Sequence, residues 1–487
     1  MFRLFEPGRG GIGLLAGLLL FAAGALSAAA APPNLSAYHQ PPWLVTPGRQ
    51  LAISYGLLPN GVTGTLYVRN DLERSFTRLR LAPGTYCPGD PVDAATMRRD
   101  KLCGKALVGQ VPGRIVAGSR LYYYAVLHDG TRTTTVPSGG AARPQRIWIV
   151  GHPVDVSLGT HRFGHLRAPA AIVARAGPKN AGFVGCMEDA AKRTLCADGS
   201  QPPQGGGCGC GEPSYGPSSF EVARDGSMWL LDEVNHRLLV WRSGRPGTLD
   251  RSVPLPQNLS VTDFALGPAG TIYLYATDHV GPGHSNLYAL TSTGRLRWKR
   301  PAHGNPPLRI GPDGALYTPF GFPLSEQVRS AWTPLTTPSG RLLPVAEQHR
   351  RTSPFQPLAG GLRLVTTQPS SHEVRFGLVN PAGELVRGWR VTSRTELYPM
   401  TATAALVGGD LVVAADMSRP NQWEHVVLRL APTGGTRLQV ALDAHALWGT
   451  LDLPATPLRI GPDGRLYQLR TNPATGVSIA RYSLGPA

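Results

Sequence analysis

The side chains with the clearest chemical potential are four of the polar residues in the mainly apolar stretch 229–241. They are, in chain order, Asp232, Asn235, His236 and Arg237. A histidine close to a carboxylate can bind a metal ion or exchange protons with a substrate. Short polar residues also fasten tight loops through hydrogen bonds to the backbone, and an arginine can pair with the carboxylate. The sequence favours this structural role and leaves a binding role open.

Further histidines and carboxylates lie at comparable places later in the chain. They are Asp278, His279, His284, His372 and Asp416. Loops that converge on one axis could bring several of these side chains together with His236 around a divalent metal ion. No H-x-H spacing and no matched ligand in each repeat occurs, however, so isolated surface histidines are the simpler interpretation. No nucleophile elbow or phosphate loop is present. The candidates for catalysis are therefore His236, His279, His284 and His372.

Residues 1–30 predict a secretory signal peptide. Arg3 and Arg9 precede an apolar run that starts at Ile12, and small residues follow that run at 27–30. An uncleaved anchor is the alternative, because the run nearly reaches the length of a membrane span. No later segment is apolar enough to cross a bilayer. We therefore expect a monomeric protein that is secreted to the extracellular space or the cell envelope.

The six cysteines predict disulfide bonds, since an even number behind a secretion signal is typical of an oxidising compartment. Cys87 and Cys103 flank one loop and are expected to pair. A Cys-Gly-Cys unit can bridge itself only with strain, so Cys208 and Cys210 are each expected to take one of two other partners. Those partners are Cys186 and Cys196. The C-x-x-C spacing of a zinc site is absent, and a redox role for the Cys-Gly-Cys unit is the alternative.

The formal net charge is +17, and all but five of the 48 basic residues are arginine. Such a charge favours acidic polymers or acidic lipids as partners. Scattered arginine is also typical of a chain with biased codon usage, and no basic run or nucleic-acid recognition motif occurs. The composition therefore excludes nucleic acid as the expected partner and keeps an anionic polymer open.

Residues 31–150 predict a β-sandwich. Short runs that alternate apolar and polar residues are separated by Asn-Gly, Pro-Gly and Asp-Gly turns. The clearest runs are residues 51–55, 64–69, 76–81 and 120–127. The last run is similar to a late strand of an immunoglobulin-like or fibronectin-like domain, and the length of the region suits that architecture.

Residues 219–487 contain a repeat. The segment 307–317 recurs as 457–467 with one difference, and looser copies occur before each of four other turn glycines. The six turn glycines are Gly226, Gly270, Gly314, Gly361, Gly409 and Gly464. Most repeats continue with a second hairpin. Four strands in each repeat of 40 to 55 residues is the period of a β-propeller, so six blades are predicted.

In the first repeat, the segment 229–241 resembles the NHL repeat, a propeller-blade motif. The Asp, Asn-His and Arg of that motif lie between its second and third strands, and they match Asp232, Asn235, His236 and Arg237. The other repeats lack the Asn-His-Arg unit. The resemblance implies a six-bladed propeller, a fold whose members include peptide-binding and RNA-binding modules, an amidating lyase, gluconolactonase-like enzymes and streptogramin lyase.

Residues 151–218 predict a connector that also closes the propeller. The sixth repeat has only three strands of its own, and an open propeller would expose an unpaired strand edge. The apolar run at 170–175 is the best candidate for the missing strand. The rest of the connector is rich in glycine and cysteine, and disulfides are expected to give it shape.

Together these patterns predict an all-β protein with an N-terminal β-sandwich followed by a six-bladed β-propeller. The favoured function is non-catalytic binding of a protein, a peptide or an anionic cell-wall polymer at a propeller face. Three tryptophans near outer turns could contribute to such a face or pack between blades; they are Trp241, Trp298 and Trp389. The alternative is a propeller lyase or lactone hydrolase whose cofactor would be a divalent metal ion.

Overall fold

The structure is a computed structural model. It describes residues 37, 39, 41–56, 58–86, 104–188, 194–196, 215–278, 285–302, 306–319, 332–420, 422–448 and 457–485. The predicted signal peptide and several predicted site residues lie outside the described residues. These site residues are Cys87, Cys103, Cys208, Cys210, His279 and His284.

Two sheets pack face to face in the predicted sandwich. Their strands are β1 (Leu44–Val45), β2 (Leu51–Tyr55), β3 (Thr63–Asn70), β4 (Thr77–Arg80), β5 (Ala82–Tyr86), β6 (Gly104–Val111), β7 (Arg120–His128), β8 (Thr133–Val136) and β9 (Gln145–Ile149). The larger sheet has the order β1-β9-β7-β3-β4 with β8 paired to β7, and the smaller has the order β2-β6-β5. A Cβ at Gly109 of β6 would lie 2.6 Å from the Leu66 side chain of β3, so the two sheets are in close contact.

Alternation along the strands decides which side chains form the sandwich core. On β3, Leu66 and Val68 are buried, whereas Tyr67 and Arg69 face outward. The same rule applies to β7, where Tyr123 is fully buried. The predicted strands in this region are confirmed.

The connector contributes four strands. They are β10 (Val154–Ser157), β11 (Ala171–Ala176), β12 (Cys186–Glu188) and β13 (Thr194–Cys196). Strands β12 and β13 form a hairpin in which Cys186 lies opposite Cys196. Cys186 is disulfide-bonded, but Cys196 is a free thiol, so the predicted disulfide at Cys196 is wrong. The partner expected for Cys196 was Cys208 or Cys210, and both of these cysteines lie outside the described residues.

The described residues after 218 form six sheets, which we number as blades 1 to 6. Blade 1 consists of β14 (Phe220–Val222), β15 (Met228–Asp232), β16 (Arg237–Trp241) and β17 (Leu249–Pro254). Blade 2 consists of β18 (Leu259–Leu266), β19 (Ile272–Asp278), β20 (Ser285–Leu290) and β21 (Leu296–Pro301). Blade 3 consists of β22 (Arg309–Ile310), β23 (Leu316–Thr318) and β24 (Thr333–Pro334).

Blade 4 consists of β25 (Gln356–Pro357), β26 (Arg363–Ser370), β27 (Glu373–Val379) and β28 (Leu385–Thr392). Blade 5 consists of β29 (Glu396–Val407), β30 (Asp410–Arg419), β31 (Gln422–Leu430) and β32 (Thr436–Asp443). Blade 6 consists of β33 (Leu458–Ile460), β34 (Leu466–Asn472) and β35 (Gly476–Tyr482). One α-helix is described, α1 (Val345–Arg351), and no described helix is long and apolar enough to cross a membrane. Single 3₁₀ turns occupy Gly113–Ile115, Gly140–Ala142, Pro178–Asn180, Pro268–Gly270 and Ala359–Gly361.

The first strands of the blades are joined to the second by tight turns whose glycines have positive φ. Gly314 and Gly464, in the two copies of the strongest repeat, have φ of 86° and 68°. Neighbouring blades then bury their apolar faces against each other. At the junction of blades 6 and 1, for example, Phe220 and Leu230 share a cluster with Leu469 and Ile479. The chain therefore folds as an all-β sandwich followed by a six-bladed propeller.

Closure of the propeller follows the prediction. Strand β11 pairs antiparallel with β35, from Ala171 opposite Arg481 to Ala176 opposite Val477. It thereby supplies the fourth strand of blade 6. The indole Nε1 of Trp241 in blade 1 also donates a hydrogen bond to the carbonyl oxygen of Arg175, at 3.2 Å. The closure strand therefore binds the last blade and the first.

The connector does more than close the ring. Strand β10 pairs parallel with β28, the outer strand of blade 4. Further along, His161 and the Gly164 N–H contact Glu424 of blade 5, each at 2.7 Å. The Arg167 N–H then donates to the Ala441 carbonyl of β32, at 2.8 Å. Residues 154–176 thus cross the outer side of blades 4, 5 and 6, and we call this segment the strap.

Candidate functional site

A cavity of about 810 Å³ lies where the six blades meet. Its walls come from the first strand of each blade, and from the turns that follow those strands in several blades. Apolar residues such as Ile310, Leu358 and Leu458 alternate there with polar ones. A mainly apolar cavity with a few converging polar groups is typical of a ligand site. We therefore take this central cavity as the candidate functional site.

One position of the repeat supplies four polar residues of the central cavity. It lies five residues before the turn glycine and is occupied, from blade 1 to blade 6, by Glu221, Ala265, Arg309, Gln356, Ala404 and Arg459. The two arginines belong to the two nearly identical repeats, which are three blades apart. In a six-bladed ring this places Arg309 and Arg459 on opposite sides of the cavity that both of them line.

Arg459 reaches from blade 6 to Glu221 in blade 1. Its Nε and Nη2 atoms both lie 3.1 Å from Oε1 of Glu221. Its guanidinium also lies over the ring of Phe220, 5.6 Å from the centroid. These contacts hold the planar side chain in one orientation, which is the arrangement that suits recognition of a carboxylate.

Arg309 has an acidic partner in blade 2 that lies farther away than Glu221 lies from Arg459. Its Nη1 lies 3.9 Å from Oδ2 of Asp263, a carboxylate that also accepts hydrogen bonds from the Ser219 hydroxyl and the Leu308 N–H. Burial, and then the positive charge of Arg459, lower the pKa of Arg309 to about 9. Both effects disfavour a second positive charge in the cavity. An anion between the two guanidiniums would offset both.

The environment that lowers the pKa of Arg309 raises the pKa of Glu221. Burial raises the pKa of its carboxyl group above the usual value, although the charges of Arg459 and Arg309 act to lower it. Desolvation is thus the larger effect at this carboxyl group. A protonated Glu221 would leave the cavity with more positive charge, so the occupancy of this proton controls how attractive the site is to an anion.

The lining of the central cavity also includes cationic and aromatic side chains from blades 1 and 3. Arg224 and Arg251 line it together with Trp229 and Trp332. The guanidinium of Arg251 lies over the Trp229 ring, 5.2 Å from the centroid, a geometry typical of a cation–π contact. The cavity wall therefore combines charged groups with apolar ring surface.

The four residues singled out in the first blade lie at the other end of that blade. Asp232 is fully buried and accepts hydrogen bonds from the Asn235 amide at 2.9 Å, from Arg237 Nε at 2.8 Å and from the Gly182 N–H at 2.9 Å. Gly182 belongs to the connector. The carboxylate thus fastens the β15–β16 loop to the connector, as short polar residues do in turns.

His236 occupies the tip of this loop with φ of 48°. Its Nδ1 atom is buried and has no hydrogen-bond partner among the described residues. His372 is exposed in the β26–β27 turn of blade 4. Asp416 accepts a hydrogen bond from His425 Nδ1 at 2.6 Å. Across the described ranges, no three His, Cys, Asp or Glu side chains are arranged to hold a metal ion.

Two of the three tryptophans that could contribute to a binding face instead pack between blades. Trp241 and Trp389 are almost completely buried. The Nε1 of Trp389 donates to the carbonyl oxygen of Ala431 at 3.0 Å.

The residues that line the central cavity were not among the candidates predicted from the sequence. Their one signal is an arginine between two apolar residues in both strong copies of the repeat.

No family model and no curated protein matches this chain. Similar solved structures include a protein of unknown function from Bacteroides caccae, with 13% identity over 56% of this chain and 94% of that chain and a TM-score of 0.29. A virginiamycin B lyase from Staphylococcus aureus has 10% identity, coverages of 54% and 94%, and a TM-score of 0.29. A quinonprotein alcohol dehydrogenase-like protein from Bacteroides thetaiotaomicron has 10% identity, coverages of 84% and 94%, and a TM-score of 0.27. These similarities carry no conclusion about activity.

Proposed function

We propose that this protein is a secreted, non-catalytic binding protein that takes an acidic peptide segment into its central cavity. The observation that carries the proposal is the convergence of Arg309 and Arg459, from opposite blades, on one cavity. Guanidinium groups recognise carboxylates through two parallel hydrogen bonds, so a pair of them selects an acidic group in a defined position.

The apolar part of the cavity wall supports a peptide over a bare anion. Trp229, Ile310 and Trp332 line the cavity with apolar surface that a small inorganic ion could not cover. A peptide can place a carboxylate between the arginines and an apolar side chain against these walls. Burial of one such side chain contributes about 1.5–3 kcal/mol.

The test is calorimetric titration of the full chain with a hexaglutamate peptide that ends in a phenylalanine. We expect saturable binding that weakens with added salt, because the attraction is partly electrostatic. Arg309→Gln and Arg459→Gln are each expected to lower the affinity by about tenfold, the equivalent of one lost charged hydrogen bond. A hexalysine peptide with the same phenylalanine serves as the ligand of opposite charge.

Arg295→Gln is the matched control, because Arg295 is an exposed residue in the β20–β21 turn of blade 2 and has the same charge. Its affinity should equal that of the parent. Equal affinities for the three variants, or equal binding of the two peptides, would contradict the proposal. Binding of an acidic polymer but not of the acidic peptide would point to a cell-wall polymer as the ligand.

A further inference from the structure

The larger sandwich sheet has an outward face on which arginine and tyrosine alternate. In one cross-strand row, Arg69 of β3, Tyr122 of β7 and Arg146 of β9 are neighbours. In the next row, Arg78 of β4 lies beside Tyr67 of β3 and Tyr124 of β7. We call these six residues the Arg–Tyr face. All of them are at least partly exposed.

The rings hold the guanidinium groups in place. The guanidinium of Arg69 lies 4.7 Å from the centroid of the Tyr122 ring, and that of Arg146 lies 5.9 Å from the same centroid. Tyr67 and Tyr124 are stacked with their planes 4° apart. Cation–π contacts of this kind restrict a long side chain before any ligand arrives, so less entropy is lost on binding.

The charge of the Arg–Tyr face is uniform. None of the outward-facing positions of the described strands β3, β4, β7 and β9 carries Asp or Glu. Arg69 and Arg146 are two strands apart, which corresponds to about 10 Å. An extended polymer with regularly spaced negative charges could therefore contact both residues at once.

Tyrosine hydroxyls accompany the charges on this face. Tyr67, Tyr122 and Tyr124 carry phenol groups that can both donate and accept hydrogen bonds. Sugar hydroxyls have the same capacity, whereas the oxygens of a phosphate chain can only accept. Charge alone would suit any polyanion, but neighbouring guanidinium and phenol groups match a polymer that carries both carboxylates and hydroxyls.

We infer that the Arg–Tyr face binds an acidic polysaccharide, a polymer of sugar rings that carry carboxylates. The carboxylates would accept hydrogen bonds from Arg69, Arg78 and Arg146, and ring hydroxyls would pair with the tyrosines. This site is separate from the central cavity and stands whether or not the cavity binds a peptide.

Surface plasmon resonance with the full chain tests the inference. The ligands are polygalacturonate, neutral dextran, and polyphosphate as a polyanion without sugar rings. Polygalacturonate is expected to bind more tightly than polyphosphate, and dextran is expected not to bind. The double variant Arg69→Gln/Arg146→Gln should lower the affinity for polygalacturonate by about tenfold or more.

Two controls sharpen the result. Arg300→Gln removes one exposed charge in β21 of blade 2 and should leave the affinity unchanged. Tyr122→Phe keeps the ring beneath Arg69 but removes the hydroxyl, so it should weaken polygalacturonate binding several-fold and polyphosphate binding less. The inference is overturned if polyphosphate binds as tightly as polygalacturonate, or if the double variant binds like Arg300→Gln. Arg309→Gln, the cavity variant, should retain full polygalacturonate binding.

Discussion

Blade 1 has a carboxylate near each of its ends, and the two carboxylates have different surroundings. Asp232 receives hydrogen bonds from its own loop and from the connector, and it does not line the central cavity. Glu221 pairs with Arg459 of another blade and lines the central cavity. Both carboxylates are paired with an arginine. An ion pair of this kind therefore indicates a candidate ligand site only where open volume adjoins it.

We expect the strongest effect from loss of the strand that completes blade 6 and contacts blade 1. Deletion of residues 168–176 removes β11 and leaves an open edge on blade 6. We expect the propeller to lose cooperative unfolding, measured by circular dichroism on heating. A nick near Pro144 leaves β10 and β11 intact and should preserve the transition. A deletion variant that melts cooperatively at the parent's temperature would rule out the role assigned to β11.

A smaller effect is expected at Asp232, the carboxylate that does not line the central cavity. Asp232→Ala removes the acceptor of three hydrogen bonds and leaves Arg237 without its carboxylate. The free energy of unfolding should fall by about 3 kcal/mol, as for other broken buried pairs, while the affinity for the acidic peptide stays the same. Urea denaturation measures the first quantity and calorimetry the second. The exposed Asp225→Asn is the control and should change stability by less than about 1 kcal/mol.

At the central cavity, Glu221→Gln should change the affinity for a ligand more than the stability of the fold. The raised pKa of Glu221 means that the native state keeps a proton that the unfolded state releases. This contribution to stability is present below the usual carboxyl pKa and is lost as the pH rises through the raised value. The affinity for an anion should therefore increase as the pH falls through that window.

The glutamine variant fixes the neutral form, so we expect it to bind the acidic peptide about fivefold more tightly at neutral pH, a modest electrostatic gain. Its affinity should vary less with pH than that of the parent. Comparison of the two proteins cancels the titration of the peptide itself. Parallel pH profiles for parent and variant would show that Glu221 does not control the site.

The smallest effect concerns the tip of the β15–β16 loop. His236 has a positive φ and a buried, unpartnered Nδ1 within the described residues. Asparagine adopts this backbone conformation more readily, so His236→Asn should stabilise the protein by about 0.5 kcal/mol. Thermal unfolding measures the change. A clear loss of stability, or a loss of bound metal by elemental analysis, would instead indicate that the imidazole has a ligand role.

Much of the fold could be predicted because its signals are local. Alternating residues predict strands, and a glycine at a fixed place in each repeat predicts the turn between them. The last repeat has only three strands, so an upstream segment had to supply the fourth. The apolar run at 170–175 supplies it.

The candidate site was harder to predict, because it depends on which strand edges face the common axis. Arg309 and Arg459 are ordinary members of a repeat until the ring places them across one cavity. The NHL-like residues drew attention because they are unusual in the sequence, yet Asp232 fastens a loop. Strand β10 is only four residues long, and its parallel partner β28 is more than 200 residues away. No local sequence pattern therefore predicts this pairing.

The strap also sets an order of events during synthesis. Residues 154–176 leave the ribosome well before residues 385–392 and 476–482, with which they pair. Until then β10 and β11 have no strands to complete, and the distance along the chain makes their pairing slow. The ring can close only once β35 has emerged, so the strap must wait for the last blade. A partly made chain therefore exposes unpaired strand edges, and a secretion route that keeps it extended until synthesis is complete would protect it from aggregation.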